Sequence, residues 1–236
     1  MKGIIFDYGG TLDSRGVHWS WIILEGYRSA EIDLPLERFR QVYVEGEREL
    51  ARVRHILPGD TFADVMRKKI AIHRRVLAES GGPELTATQV EAIASHCYES
   101  ARACINEARP MLETLAGRVP MMLVSNFYGN IDSVLRDFNI RHYFRGIIES
   151  AVVGVRKPNP TIFRLGVDVL EMNPADVLVV GDSMRKDIIP AQSLGCATAW
   201  VKGRGWTPDE DQATHPITLK SAAELLNLPQ CSINFD

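Results

Sequence analysis

An apolar stretch that stops on a carboxylate, Gly3-Ile4-Ile5-Phe6-Asp7, sets the first limit on this fold. A run with no polar residue at every second position suits a strand covered on both faces, the habit of parallel sheets in α/β proteins. The turn that follows, Tyr8-Gly9-Gly10-Thr11-Leu12-Asp13, holds two glycines and a threonine. That composition permits a tight turn with backbone amides pointed at an anion. Open α/β sheets collect ligands at the C-terminal tips of their strands, so Asp7 is a candidate nucleophile. Taken alone, the stretch reads equally well as a turn aspartate behind an edge strand.

From about Val17 to Ala108 the pattern turns helical. The spacing predicts helices over 19–31, 36–54 and 61–79, and a fourth from the Thr86-Ala87-Thr88-Gln89 start signal to about Asn106. Short loops rich in proline and glycine between them suggest an antiparallel bundle. Beyond Arg109-Pro110 strands and helices alternate. Strands are expected at 119–124, 146–149, 177–180, 196–201 and 217–219, with helices at 131–138, 160–171 and 187–194. Alternation of this kind implies a mostly parallel sheet covered on both faces. The bundle is then an insertion after the first strand, dividing the chain into an α/β core (1–14 and 108–236) and a helical cap (15–107). A cap leaving a strand's C-terminal tip lies above the ligand crevice, with hinges expected near Ser14-Arg15-Gly16 and Ala108-Arg109-Pro110.

Composition narrows the function classes. The 236 residues are 45% apolar and 24% charged, with a net charge of −3. No basic footprint for nucleic acid is present. No apolar run approaches the roughly 18 residues of a membrane helix. The N-terminus enters a strand at once, without a signal-peptide cleavage pattern, which points to the cytoplasm. Cys97, Cys104, Cys196 and Cys231 lack metal-ligand spacing and are expected as reduced, packed thiols. A monomer or homodimer is expected.

Three more strand or helix boundaries carry polar groups. The strand at 119–124 ends in Ser125-Asn126, a hydroxyl and an amide suited to a phosphoryl oxygen and equally to a turn. Lys157 sits in Val155-Arg156-Lys157-Pro158-Asn159-Pro160, with less freedom than an ordinary surface lysine. The strand at 177–180 runs into Gly181-Asp182-Ser183-Met184-Arg185-Lys186-Asp187. Its two carboxylates suit a hard cation such as Mg²⁺, or else Asp187 caps the next helix.

Asp-x-x-Gly-Thr, Ser-Asn, Lys-Pro and Gly-Asp-x-x-x-x-Asp, in that order and at those places, resemble the motif set of the haloacid dehalogenase-like (HAD) superfamily. The resemblance covers nearly the whole chain and implies a Rossmann-like, doubly wound core with a helical cap of that superfamily's first type. It also implies roles. Asp7 attacks phosphorus and forms an aspartyl-phosphate. Thr11, Ser125 and Asn126 hold phosphoryl oxygens, and Lys157 neutralises their charge and steadies Asp7. Mg²⁺ is held by Asp7, the Gly9 carbonyl and Asp182, with Asp187 in support. The implied substrate is a small phosphorylated metabolite.

One position departs from that pattern. Phosphatases of the superfamily usually carry a second aspartate two residues after the nucleophile, as general acid and base, and here that residue is Gly9. Losing such a group costs about 10²–10⁴-fold in rate. Asp13 or His18 is a candidate substitute, or the leaving group needs no proton. Dehalogenase-type C–X hydrolysis is an alternative, although such relatives usually place a tyrosine at this position and here Tyr8 comes one residue earlier. Phosphonate cleavage through a cap lysine is disfavoured by the absence of lysine between Ser14 and Arg67. A catalytically weak phosphate- or partner-binding protein is the remaining reading. In the cap, His18, Trp19 and Trp21 are candidates for the cleft roof. Arg48, Arg52 and His55 are candidates for an anionic substrate tail, against the plainer reading of a solvated basic face.

Overall fold

The computed structural model describes residues 1–228, so Cys231 lies outside the described residues. Six parallel strands form one sheet: β1 (Gly3–Phe6), β2 (Met121–Ser125), β3 (Gly146–Glu149), β4 (Val177–Gly181), β5 (Ala197–Val201) and β6 (Thr218–Leu219). Their order is β3-β2-β1-β4-β5-β6, so β1 is central and pairs with β2 on one side and β4 on the other. Side chains alternate between two apolar layers. Ile4 and Phe6 face a large cluster continuous with the inserted helices. Ile5, with Met122, Val124 and Val179, faces a smaller one with Ile162, Phe163 and Val167 of a helix over Thr161–Leu170. The chain departs to opposite sides of β1, which opens a crevice at the C-terminal ends of β1, β2 and β4.

Between β1 and β2 stand α1 (Trp19–Ser29), α2 (Leu36–Arg52), α3 (Phe62–Glu79) and α4 (Ala87–Ala116). Two of their starts are capping boxes. Thr61 Oγ1 accepts from the Asp64 N–H and Asp64 Oδ2 accepts from the Thr61 N–H, and Thr86 and Gln89 repeat the exchange. Among the described residues no helix is long and apolar enough to cross a membrane. Cys97, Cys104 and Cys196 are buried free thiols.

The largest departure from the expected elements is α4, which continues ten residues past Asn106 and through Pro110. Proline inside a helix forfeits one hydrogen bond and costs about 3 kcal/mol. Here Ala108, Met111, Leu112 and Leu115 are buried on both sides of it, and the Arg109 guanidinium donates to the carbonyls of Phe138 and Asn139 at 2.8 Å. Packing therefore outweighs the break, and the expected loop at 108–110 is helix. After β4 the helix expected at 187–194 is present as a short helix over Ile189–Ser193, entered through a π-type turn over Met184–Ile188 that contains Asp187. Ser183 caps that turn, with its Oγ 3.2 Å from the Lys186 N–H. Asp187 is released for the crevice.

Candidate active site

The backbone of Asp7 continues the ladder beyond β1, its N–H donating to the Val180 carbonyl at 2.9 Å. That bond places the carboxylate in the crevice beside the end of β4. The next turn brings Gly10, at φ +96°, close against Asp182, where any β-carbon would overlap the Asp182 carboxylate. Asp13 lines the same cleft and closes the loop. Its Oδ1 accepts the Gly10 N–H at 2.7 Å and its Oδ2 accepts the Trp19 indole N–H at 3.1 Å.

Four predicted residues converge at Asp7. The Lys157 ammonium donates to Asp7 Oδ1 at 2.6 Å and to Asp187 Oδ1 at 2.7 Å, with all three side chains almost fully buried. Thr11 Oγ1 lies 3.2 Å from Asp7 Oδ2 and 3.4 Å from Asp182 Oδ1. The second oxygen of Asp187 accepts the Ser183 N–H at 3.0 Å. Ser125 is buried at the end of β2 on the same cleft.

The electrostatics follow from crowding. Burial, then the charges of Asp187 and Asp7, push the Asp182 carboxyl well above its ordinary value. Burial also raises Asp187, against the pull of Lys157. Burial opposes a charged lysine, yet Asp187 and Asp7 together hold the Lys157 ammonium above its usual value. Oxygens of Asp7, Asp182 and Asp187 all lie within 4.8 Å of one another. One lysine does not neutralise three carboxylates. An all-oxygen set with surplus negative charge fits a hard divalent cation such as Mg²⁺.

Some predicted residues hold other posts. The Asn126 carboxamide is exchanged with the backbone of Lys157: its Nδ2 donates to the Lys157 carbonyl at 3.1 Å and its Oδ1 accepts the Lys157 N–H at 3.0 Å. It fixes the lysine loop while also lining the cleft. His18 lines the cleft but also caps α1, its Nδ1 accepting the Ser20 N–H at 3.3 Å. Burial, with Lys186 and Lys69 nearby, lowers its imidazole to about 4. Trp19 lines the cleft, whereas the Trp21 indole donates to the Gly205 carbonyl and its ring lies against Arg204 and Arg40. Arg48 pairs with Glu45, and Arg52 and His55 with Glu49, so that basic face is internally neutralised.

The cleft roof holds residues that sequence reasoning missed. Lys69 of α3, buried, forms an ion pair with Glu47 of α2, and its ammonium lies 5.3 Å from the Tyr43 ring centre. The Tyr128 hydroxyl donates to the other Glu47 oxygen at 3.4 Å. Phe62 and Phe127 complete an aromatic wall. A signal was available: Lys69 falls in the stripe Phe62, Val65, Met66, Ile70, His73, the buried face of α3. A lysine in such a stripe calls for a carboxylate partner or a functional reason. The absence of lysine before Arg67 thus does not keep lysine out of the roof. Despite burial, Glu47 holds the Lys69 ammonium well above its ordinary value, so it stays protonated and is a poor amine nucleophile.

A profile of haloacid dehalogenase-like hydrolases matches residues 1–195. The phosphoserine phosphatase of Thermus thermophilus is 28% identical over 163 residues, 65% of this chain and 62% of its own length. This chain thus spans less than two thirds of that curated relative. Among solved structures, the HAD-hydrolase YfnB of Bacillus subtilis, solved bound to magnesium, superposes with a TM-score of 0.58 at 19% identity, over 96% of this chain and 97% of its own. The L-2-haloacid dehalogenase of Xanthobacter autotrophicus gives 0.53 at 16% identity, over 96% and 97%. These two likenesses support the α/β core with its helical cap.

Proposed function

We propose a phosphatase reaction for this chain, which belongs to the haloacid dehalogenase-like hydrolases: Mg²⁺-dependent hydrolysis of a small phosphorylated metabolite through an aspartyl-phosphate on Asp7. The observation that carries the reading is the Lys157 ammonium clamped between Asp7 and Asp187, with Asp182 completing the carboxylate cluster. Kinship with the Thermus phosphoserine phosphatase supports a phosphomonoester, and the magnesium in the YfnB structure supports the metal.

In this reading Lys157 and Thr11 orient the Asp7 carboxylate. Asp7 attacks phosphorus, an O–P bond forms, and the leaving oxygen departs with its electron pair. Water then attacks the phosphorus of the acyl phosphate, and Asp7 is released as a carboxylate. Thr11, Ser125 and Lys157 donate to the phosphoryl oxygens in both steps. Asp7, the Gly9 carbonyl and Asp182 would hold Mg²⁺, with Asp187 in support. When bound, the ion supplies positive charge that offsets the repulsion between carboxylate and phosphate. The cap (15–107) closes over the core (1–14 and 108–236), and the Lys69–Glu47 pair meets polar groups of the leaving alcohol. His18 is tied into the start of α1, whereas Asp13 lines the cleft and burial raises it to about 8, so Asp13 is the acid available to the leaving group in place of a carboxyl at position 9.

Hydrolysis of phenyl phosphate, assayed with and without chelator, tests this reading. Turnover that chelation abolishes and that Asp7→Asn lowers by at least about 10³-fold is expected. Halide release from a 2-haloacid in the presence of chelator would replace it with the C–X hydrolase.

A further inference from the structure

The catalytic cleft does not end at its own mouth. Asn126, Phe127, Tyr128, Lys157, Lys186 and Glu47 line both the cleft and a broader groove running outward between the cap and the core. The far walls of that groove carry Arg54, just past the end of α2, and Arg156, on the loop that presents Lys157. Arg156 precedes Lys157 and Lys186 precedes Asp187 in the chain. In each pair one side chain is buried in the site and its neighbour is exposed on the groove.

The charge on these walls is unbalanced. Arg52 is neutralised by Glu49 and Lys157 by Asp7 and Asp187. The one carboxylate among the groove's described residues, Glu47, is already paired with Lys69. Lys186 faces the charge of Asp182, whereas Arg54 and Arg156 have no carboxylate partner among the described residues. Two free cations on the walls of one groove, with Lys186 beside them, concentrate positive potential where counter-ions are drawn in. Val53 and Val152, exposed at 41% and 73%, add apolar surface between them.

We infer that the groove binds a second anionic group of the substrate, so that the favoured substrate is a phosphomonoester whose leaving alcohol carries a distal phosphate or carboxylate. The inference rests on the phosphatase reading for the site but concerns the other end of the substrate. Arg54 and Arg156 hold the distal anion from the cap and the core sides, the valines cover the spacer, and the scissile phosphate lies against Lys157. A substrate spanning both walls also ties cap to core, which couples recognition to closure.

Hexyl phosphate, 1,6-hexanediol bisphosphate and 6-phosphohexanoate share one spacer and differ only at the far end, so KM and calorimetric Kd for the three give the test. Either distal anion is expected to lower both constants by about tenfold relative to hexyl phosphate, an advantage that shrinks with salt. Arg54→Glu with Arg156→Glu should erase the ratio, and Arg118→Glu, an exposed arginine past α4, should leave it intact. A preference for bisphosphate alone assigns the groove to phosphate, and for phosphohexanoate alone to carboxylate. Equal constants for all three ligands, or a ratio that survives the double variant, overturn the inference. Calorimetry needs no turnover, so absence of hydrolysis with the binding ratio intact would sink the phosphatase reading and leave the groove standing.

Discussion

Gly9 has no atom within 4 Å of where its β-carbon would stand, and its φ is not in the left-handed region. An aspartate fits there without backbone strain. Its neighbour Gly10 is the opposite case, with φ +96° and the Asp182 carboxylate in the way. The missing carboxyl is therefore not a steric necessity. Gly9→Asp is expected to raise kcat for alkyl phosphates, whose alkoxide needs a proton, by about 10²-fold or more, and to change aryl phosphate turnover little. A leaving-group series on both proteins reads this directly. Equal rates for alkyl phosphates would show that another group, with Asp13 the one available in the cleft, already supplies the proton in full. At this scale Asp7, Lys157, Asp182 and Asp187 were legible because each follows a strand or precedes a helix, and chain order alone places it. Lys69 and Glu47 were not, because their meeting depends on how α2 packs against α3, and the bracing of the Lys157 backbone by Asn126 likewise joins residues 31 apart in the chain.

Among the elements, every predicted strand and cap helix is present, since long apolar runs and capping signals are local. The boundary at 108–110 failed because a proline reads as a stop while the packing that overrides it is tertiary. This matters for the cap. If 15–107 moves against the rest, one of its two connections is the 30-residue α4 itself. The Pro110 position lacks the N–H that would bind the Asn106 carbonyl, so it is the natural bending point. Pro110→Ala restores that donor. It is expected to raise stability by about 1–3 kcal/mol, read by urea unfolding, and to lower kcat by stiffening the helix. Higher stability with unchanged kcat would place the motion at Ser14-Arg15-Gly16 instead.

The pH response of the whole molecule follows from groups that fold buried. His73 sits in the middle of the cap, its Nδ1 3.3 Å from the Tyr27 hydroxyl and its Nε2 without a partner. Burial, helped by the charge of Lys69, lowers its imidazole to about 3, whereas an unfolded histidine titrates near 6.5. Between those values the unfolded chain binds a proton that the folded chain refuses. Stability is thus fully present above pH 6.5 and is lost as pH falls, by about 1.4 kcal/mol per unit. His18, at about 4, acts in the same direction over a narrower window. Asp13 acts in the opposite one: burial raises it to about 8, so its contribution is present below about pH 4 and is lost as pH rises toward 8. Thermal unfolding followed from pH 4.5 to 8.5 should therefore show two limbs. His73→Gln is expected to flatten the acid limb by about 1.4 kcal/mol per unit, and Asp13→Asn to flatten the alkaline limb. An acid limb of unchanged slope in His73→Gln would mean that the buried imidazole takes up its proton without unfolding the cap.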